Sequence, residues 1–294
     1  MRSTRSGQSL SSLWLSLCIL IAASLIGCTT SAVHREGTVY NCDDEDHIRW
    51  AWTDYDDPNL IVAQGDSQSY SLLACAAQQN NKTLVKDLIA AGADINRRDL
   101  QGAVPLSGLT SPDMTQFLIE QGADITVRDR SGATPLFKVV QNPYLDDATR
   151  LALIETYLAA GADAKTQNAN GDTLLHMTTN PWVAQLLIDQ GALVDVQNKS
   201  GSTPLHAYYA YENDMGVARV LLEQGADVNA QDHHGNTPLH YIACNLENCN
   251  RPDAEAEFLI AFGADPTLKN KQGQSAQELA ITQNRLELVK LFGR

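Results

Sequence analysis

Residues 203–240 read TPLHAYYAYENDMGVARVLLEQGADVNAQDHHGNTPLH, and the tetrapeptide Thr-Pro-Leu-His thereby returns after 34 residues. Thr203 is suited to cap a helix, and Pro204 to fill its first position, where the missing N–H would have no helical acceptor. An apolar run, Val220-Leu221-Leu222, and then Gly225 follow, a pattern typical of a second helix that ends at a glycine in the left-handed conformation. The stretch therefore predicts a pair of short helices in each unit.

The same unit recurs along the chain. Six of the eight Gly-Ala pairs in the sequence punctuate it at intervals of 30, 39, 30, 34 and 38 residues. Their glycines are Gly92, Gly122, Gly161, Gly191, Gly225 and Gly263. Full or weaker copies of the tetrapeptide run in phase with these pairs and begin at Ser71, Val104, Thr134, Thr173, Thr203 and Thr237. Between units lie turn-forming sequences such as Asp129-Arg130-Ser131-Gly132, which predict a hairpin tip. A helix pair of this kind cannot bury its own apolar face, so the units are expected to stack.

The two phased motifs resemble the ankyrin repeat, whose period is about 33 residues with a Thr-Pro-Leu-His signature. The resemblance covers residues 66–294 and implies an all-α solenoid of stacked helix-turn-helix units with hairpin loops. We count six repeats and a C-terminal helical cap. The resemblance further implies that partners bind in the concave groove. It also implies that His176, His206 and His240 hydrogen-bond to neighbouring backbone.

The repeats differ in length between their paired helices. Repeats two and four are short and are expected to lose about one helical turn, at Thr110-Ser111-Pro112 and Thr179-Asn180-Pro181. Repeats three and six carry insertions, at Gln141 to Asp146 and at Asn245 to Pro252. Two interpretations of these insertions stay open: they are recognition elements, or they are loop growth without function.

The N-terminus has the features of an export signal. Two arginines precede an apolar run from Leu13 to Ile26, which is too short to span a bilayer comfortably and has the length of a signal-peptide core. The run ends in Leu25-Ile26-Gly27-Cys28, which resembles the lipobox of bacterial lipoproteins. The resemblance implies that residues 1–27 are removed and that Cys28 is acylated, palmitate being one such acyl group. Thr29, in place of an aspartate, then favours the outer membrane, facing the periplasm. The alternative is an uncleaved anchor in which Cys28 stands by chance.

Residues 28–65 are not repeat-like and are predicted to form a tether and an N-terminal cap segment. The acidic run from Asp43 to His47, followed by Trp50 and Trp52, is expected to be a short amphipathic cap over repeat one. A metal site in the acidic run is the alternative, but a solvated turn at a helix start explains these residues more simply.

The cysteines of the mature chain suggest disulfides. Besides Cys28, it would contain Cys42, Cys75, Cys244 and Cys249, and an even number in an exported protein permits pairing. Cys244 and Cys249 are expected to pair if the inserted loop breaks the helix between them, and Cys42 is expected to pair with Cys75.

Charge and aromatic residues indicate the kind of partner. The formal charge of −14, which becomes −16 without Arg2 and Arg5, argues against a nucleic acid and favours a protein with a basic surface. Aromatic residues are enriched at binding hot spots, so a band of them is the predicted partner-binding site. Its members are Tyr208, Tyr209, Tyr211, Tyr241 and Trp182. The alternative is that some of these rings fill gaps between repeats.

No pattern of catalytic residues stands out. The chain has no nucleophile elbow, phosphate loop, dinucleotide fingerprint or Cys-x-x-Cys pair, and His240, Cys244 and Cys249 supply only three of the ligands that a structural zinc site needs. We therefore expect a non-enzymatic, cofactor-free and metal-free protein-binding lipoprotein. The architecture resembles small ankyrin lipoproteins that act as immunity proteins against phospholipase toxins of type VI secretion. The alternative is a periplasmic scaffold or chaperone for an endogenous envelope enzyme.

Overall fold

The computed structural model describes residues 45–64, 68–211, 215–243 and 253–293. Within these ranges the chain is mainly short helices. In chain order they are α1 Glu45–Tyr55, α2 Leu72–Gln78, α3 Lys82–Ala90, α4 Pro112–Glu120, α5 Pro135–Gln141, α6 Asp147–Ala159, α7 Leu174–Met177, α8 Pro181–Asp189, α9 Pro204–Tyr211, α10 Met215–Glu223, α11 Pro238–Ala243, α12 Asp253–Ala261, α13 Ala276–Thr282 and α14 Leu286–Phe292. None of the described helices is long and apolar enough to cross a bilayer.

The described residues divide into two compact units, those up to Gln101 and those from Gly102 onward. In the first, α1 packs on α2, with Ile48 and Ala51 of α1 buried. This helix corresponds to the segment interpreted as an amphipathic cap. The pair α2 and α3 forms repeat one, and Ser71 caps α2 by accepting a hydrogen bond from the backbone N–H of Ala74 at 3.1 Å.

A two-stranded antiparallel sheet precedes α2, and the sequence did not predict it. Strand β1, Ile61–Gln64, pairs with β2, Gln68–Ser71, with Ile61 opposite Ser71. The hairpin therefore spans the boundary that the sequence placed between residues 65 and 66. Repeat one lacks the tip glycine and the Thr-Pro that the other repeats have. In their place it has a β-strand that pairs with the strand before it.

The second unit is a solenoid with two layers of helices. The first helices of successive repeats contact one another in the order α5, α7, α9, α11 and α13. The second helices form the other layer, with contacts between α4 and α6, α8 and α10, and α12 and α14. One leucine of each second helix is fully buried; these are Leu118, Leu153, Leu187, Leu221, Leu259 and Leu288. This arrangement confirms the predicted ankyrin-type stack of helix pairs.

Repeat two departs from the predicted helix pair, because a turn replaces its first helix. The N–H of Ser107 donates to the carbonyl oxygen of Val104 at 2.7 Å, and Gly108 has φ +79°, which ends the turn before a helix can form. Leu106 and Leu109 are nevertheless buried, so the turn occupies the place of the helix in the stack. The sequence predicted that repeat two loses about one helical turn, whereas the structure shows that it loses its whole first helix. In repeat four a four-residue helix, α7, remains.

Candidate functional site

The hairpin tips of the second unit form a continuous backbone ladder. The N–H of Ala169 donates to the carbonyl oxygen of Ser131, and that of His233 to Ser200, both at 2.9 Å. Gly201 lies at the closest approach, since a Cβ on it would come within 2.5 Å of the backbone nitrogen of His233. The tips are thus fixed relative to one another and present their side chains from a rigid row.

The three repeated histidines connect neighbouring repeats. In each, Nδ1 accepts from the backbone N–H of the threonine three residues earlier, as between Thr203 and His206 at 3.2 Å. The Nε2 atom donates to a carbonyl oxygen of the next repeat; the pairs are His176 with Ser202 at 2.9 Å, His206 with Asn236 at 3.0 Å and His240 with Gln274 at 3.1 Å. Burial lowers the pKa of all three, which keeps them neutral. The predicted structural role is confirmed.

Tyr241 is half-buried and contacts both its own repeat and the preceding one. Its hydroxyl donates to Asp232 Oδ2 at 2.7 Å, and its ring meets that of His206 edge-on at a centroid distance of 5.9 Å. Lys138 occupies the equivalent position in repeat three, where its Nζ atom forms a salt bridge with Asp129 Oδ2 at 2.6 Å. Burial alone would raise the pKa of Asp232, but hydrogen bonds from Tyr241 and two backbone N–H groups bring it below its ordinary value.

The structure corrects the prediction for two of the aromatic residues assigned to partner binding. Tyr208 and Tyr209 are 5% and 1% exposed, and their rings meet edge to face at 4.9 Å. Buried rings of this kind fill the space between repeats and leave no surface for a partner. The side chain of Tyr211 lies outside the described residues. Trp182, by contrast, is 70% exposed.

A second exposed ring, Tyr144, was not singled out from the sequence. It is 94% exposed and lies in the insertion between α5 and α6 of repeat three. Trp182 lies in the first turn of α8 in repeat four. We call the surface formed by residues 141–149 and 178–185 the inter-helix edge. Asn142 and Pro143 signalled a turn here, but only the structure shows that the ring after them points into solvent.

The insertion that bears Tyr144 is held by a buried arginine. The guanidinium of Arg150 donates to the carbonyl oxygens of Val139, Val140 and Leu145 at 3.2, 2.9 and 3.1 Å. The N–H of Tyr144 itself donates to Asn142 Oδ1 at 2.9 Å. The backbone on both sides of the exposed ring is therefore fixed.

Trp182 is held in a similar way. Asn180 caps α8, since its Oδ1 atom accepts from the N–H groups of Trp182 and Val183 at 2.8 and 3.1 Å, and Pro181 fills the first helical position. Val183 is fully buried, so this turn is anchored in the core.

Cys75 is fully buried in α2 and is disulfide-bonded. Cys28, Cys42, Cys244 and Cys249 lie outside the described residues, so the lipid site and both disulfide pairings stay predictions. Within the described ranges, no three potential metal-binding side chains come together.

Comparisons with known proteins agree with the fold. A family model for ankyrin repeats in three copies matches residues 147–232, 179–253 and 208–293, and a single-repeat model matches residues 69–100. The three-copy matches span half of the chain. The sequence gives no significant match among curated proteins.

Among solved structures, the chain is similar to the ankyrin repeat domain of Bcl-3, a member of the IkappaB protein family. The identity is 24% over 78% of this chain and all of that chain, with a TM-score of 0.59. This likeness shows the fold alone.

Proposed function

The chain belongs to the ankyrin-repeat family, and we propose that it is a lipid-anchored binding protein of the bacterial cell envelope that neutralises an envelope-targeting toxin. Ankyrin repeats indicate a protein–protein interaction module, and the fold is typically a non-enzymatic scaffold. Within the second unit, each recurring histidine makes a hydrogen bond to the backbone of the next repeat. The proposed partner is a phospholipase-like toxin with a basic surface.

The observation that carries the proposal is the lipobox-like Leu25-Ile26-Gly27-Cys28 ahead of a repeat scaffold. A binding module attached through the lipid on Cys28 to the outer membrane, facing the periplasm, would meet a membrane-attacking enzyme where it acts. The disulfide at Cys75 supports export, because disulfides persist in oxidising compartments such as the bacterial periplasm. The net charge of −14 favours a basic partner.

The test is protection of cells. We expect a lipase-like toxin to be encoded beside this protein, and cells that direct that toxin to their periplasm should survive when they also produce the full chain. Cys28→Ser is expected to lose labelled-lipid incorporation and membrane recovery. Protection should then weaken, although the purified variant still binds the toxin.

Two results would count against the proposal. Equal survival with and without the full chain would exclude the immunity role. A co-purifying endogenous envelope enzyme that stays fully active when bound would instead support the scaffold alternative.

A further inference from the structure

The inter-helix edge carries two aromatic rings that the fold does not use. Tyr144 and Trp182 are 94% and 70% exposed, whereas Tyr157 and Tyr209 in the same unit are at most 1% exposed. Repeats three and four are neighbours, since α5 contacts α7. The turns between their paired helices therefore lie on the same side of the solenoid. Exposed aromatic side chains of this size are typical of binding hot spots.

Both rings are also pre-organised. Arg150 fixes the insertion through three carbonyl oxygens, and Asn180 fixes the turn at Trp182 through two N–H groups. A ring on fixed backbone loses little conformational entropy on binding, which favours affinity.

The charges around the rings are negative. Asp146 and Asp147 follow Tyr144 after one intervening residue, Leu145, and both are exposed. Hydrogen bonds from the N–H and hydroxyl of Thr149 lower the pKa of Asp146, so it is ionised at neutral pH. The sequence has no lysine or arginine between Lys165 and Lys199, and Arg150, the nearest one after Tyr144, is buried.

Most of the exposed basic residues that the structure describes in the second unit lie instead at the hairpin tips. Exposed examples are Arg128, Arg130, Lys165, Lys199, Lys269 and Lys271. The inter-helix edge therefore combines aromatic faces with carboxylates and is free of exposed basic side chains. A guanidinium group matches both features, because it stacks on aromatic rings and pairs with carboxylates.

We propose that the inter-helix edge, through Tyr144 and Trp182, is the docking surface for an arginine-bearing basic surface of a partner protein. The inference rests on the proposed function only in requiring a protein partner. This docking surface is not the concave groove that the sequence suggested. Of the tyrosines predicted to bind there, Tyr208 and Tyr209 are buried and Tyr241 is hydrogen-bonded to Asp232.

The first test uses octa-arginine and octa-lysine peptides as probes of the full chain, with binding measured by calorimetry. Octa-arginine is expected to bind more tightly than octa-lysine, and Trp182→Leu or Tyr144→Ser to weaken it about fivefold, which corresponds to ~1 kcal/mol. Leu193→Ser is the matched control, because Leu193 is an exposed apolar residue outside the edge. Equal octa-arginine affinity in all four proteins would overturn the proposal.

The second test places benzoylphenylalanine at position 144 or 182, and at Leu193 or His234 as controls, in the producing cell. Cross-links from 144 and 182 to an arginine-containing segment of the toxin would support the proposal. Cross-links from the control positions alone would overturn it and leave the proposed function standing. Cross-links from 144 to a second copy of this chain would identify self-association and would also overturn it.

Discussion

The hydroxyl of Tyr157 in α6 donates a hydrogen bond to the backbone carbonyl oxygen of Leu106 at 2.9 Å, across 51 residues of sequence. Leu106 lies in the turn that replaces the first helix of repeat two, so this carbonyl oxygen does not have a regular helical partner. Burial raises the pKa of Tyr157, which keeps the hydroxyl protonated and able to donate. One side chain of repeat three thus completes the backbone hydrogen bonding of repeat two.

Tyr157→Phe is expected to lower the free energy of unfolding by about 1–3 kcal/mol, the usual effect of leaving a buried acceptor without its donor. Urea unfolding followed by circular dichroism measures it. Tyr144→Phe is the control, since Tyr144 is almost fully exposed and should change stability little. Equal stability of the two variants would show that the Tyr157 bond contributes nothing.

The fold could be predicted from local features of the sequence. Thr-Pro fixes where a helix begins, and Gly225 and its equivalents mark where one ends, so the repeat register follows from spacing alone. Burial was harder to predict, because it depends on how far apart neighbouring repeats stack. Tyr208 and Tyr209 therefore looked like surface anchors but are in the core, and Tyr144 was passed over although it is the more exposed ring.

Removing the buried guanidinium should loosen the inter-helix edge. Arg150→Met removes the guanidinium donor from the carbonyl oxygens of Val139, Val140 and Leu145, and we expect a loss of about 2–4 kcal/mol. Of the three, the oxygen of Val139 keeps the N–H of Asn142 at 3.3 Å. Arg150→Lys should recover only part of it, because an ammonium group lacks the planar fork. Limited proteolysis is expected to cut the insertion at Gln141 to Asp146 first. Arg219→Met, at an exposed position, is the control, and cleavage at the same rate in both variants would contradict this role.

Stability is expected to fall between about pH 6.5 and pH 5. Burial lowers the pKa of His176, His206 and His240 in the folded chain, so the unfolded chain binds more protons in this range. Their contribution is complete above the unfolded pKa of about 6.5 and is lost as the pH falls, by at most about 1.4 kcal/mol per pH unit for each histidine.

Urea midpoints at pH 7 and pH 5 check this dependence. His206→Gln should lower stability at pH 7 and reduce the difference between the two pH values. Leu193→Ser should leave the difference unchanged, because Leu193 is exposed and does not titrate. The same pH dependence in both variants would assign it to other groups.

Two glycine variants distinguish the stability lost through close contact between hairpin tips from the stability lost through backbone strain. Gly92 and Gly201 both have positive φ, +96° and +78°, so alanine costs about 1 kcal/mol or more at either. A Cβ at Gly92 meets nothing within 4 Å, whereas one at Gly201 would come within 2.5 Å of the backbone of His233. Gly201→Ala should therefore destabilise more than Gly92→Ala. Equal unfolding midpoints for the two variants would show that the tips can move apart without any loss of stability.

The most direct test of the central claim is a titration of the purified full chain into the purified phospholipase-like toxin that we propose as its partner and expect to be encoded beside it, with lipase activity as the readout. A repeat protein that captures and neutralises this partner should reduce activity in proportion to the amount added, reaching the background rate near equimolar concentration. Trp182→Leu should shift the titration to higher concentration. Full lipase activity at a large molar excess of the chain would contradict the account.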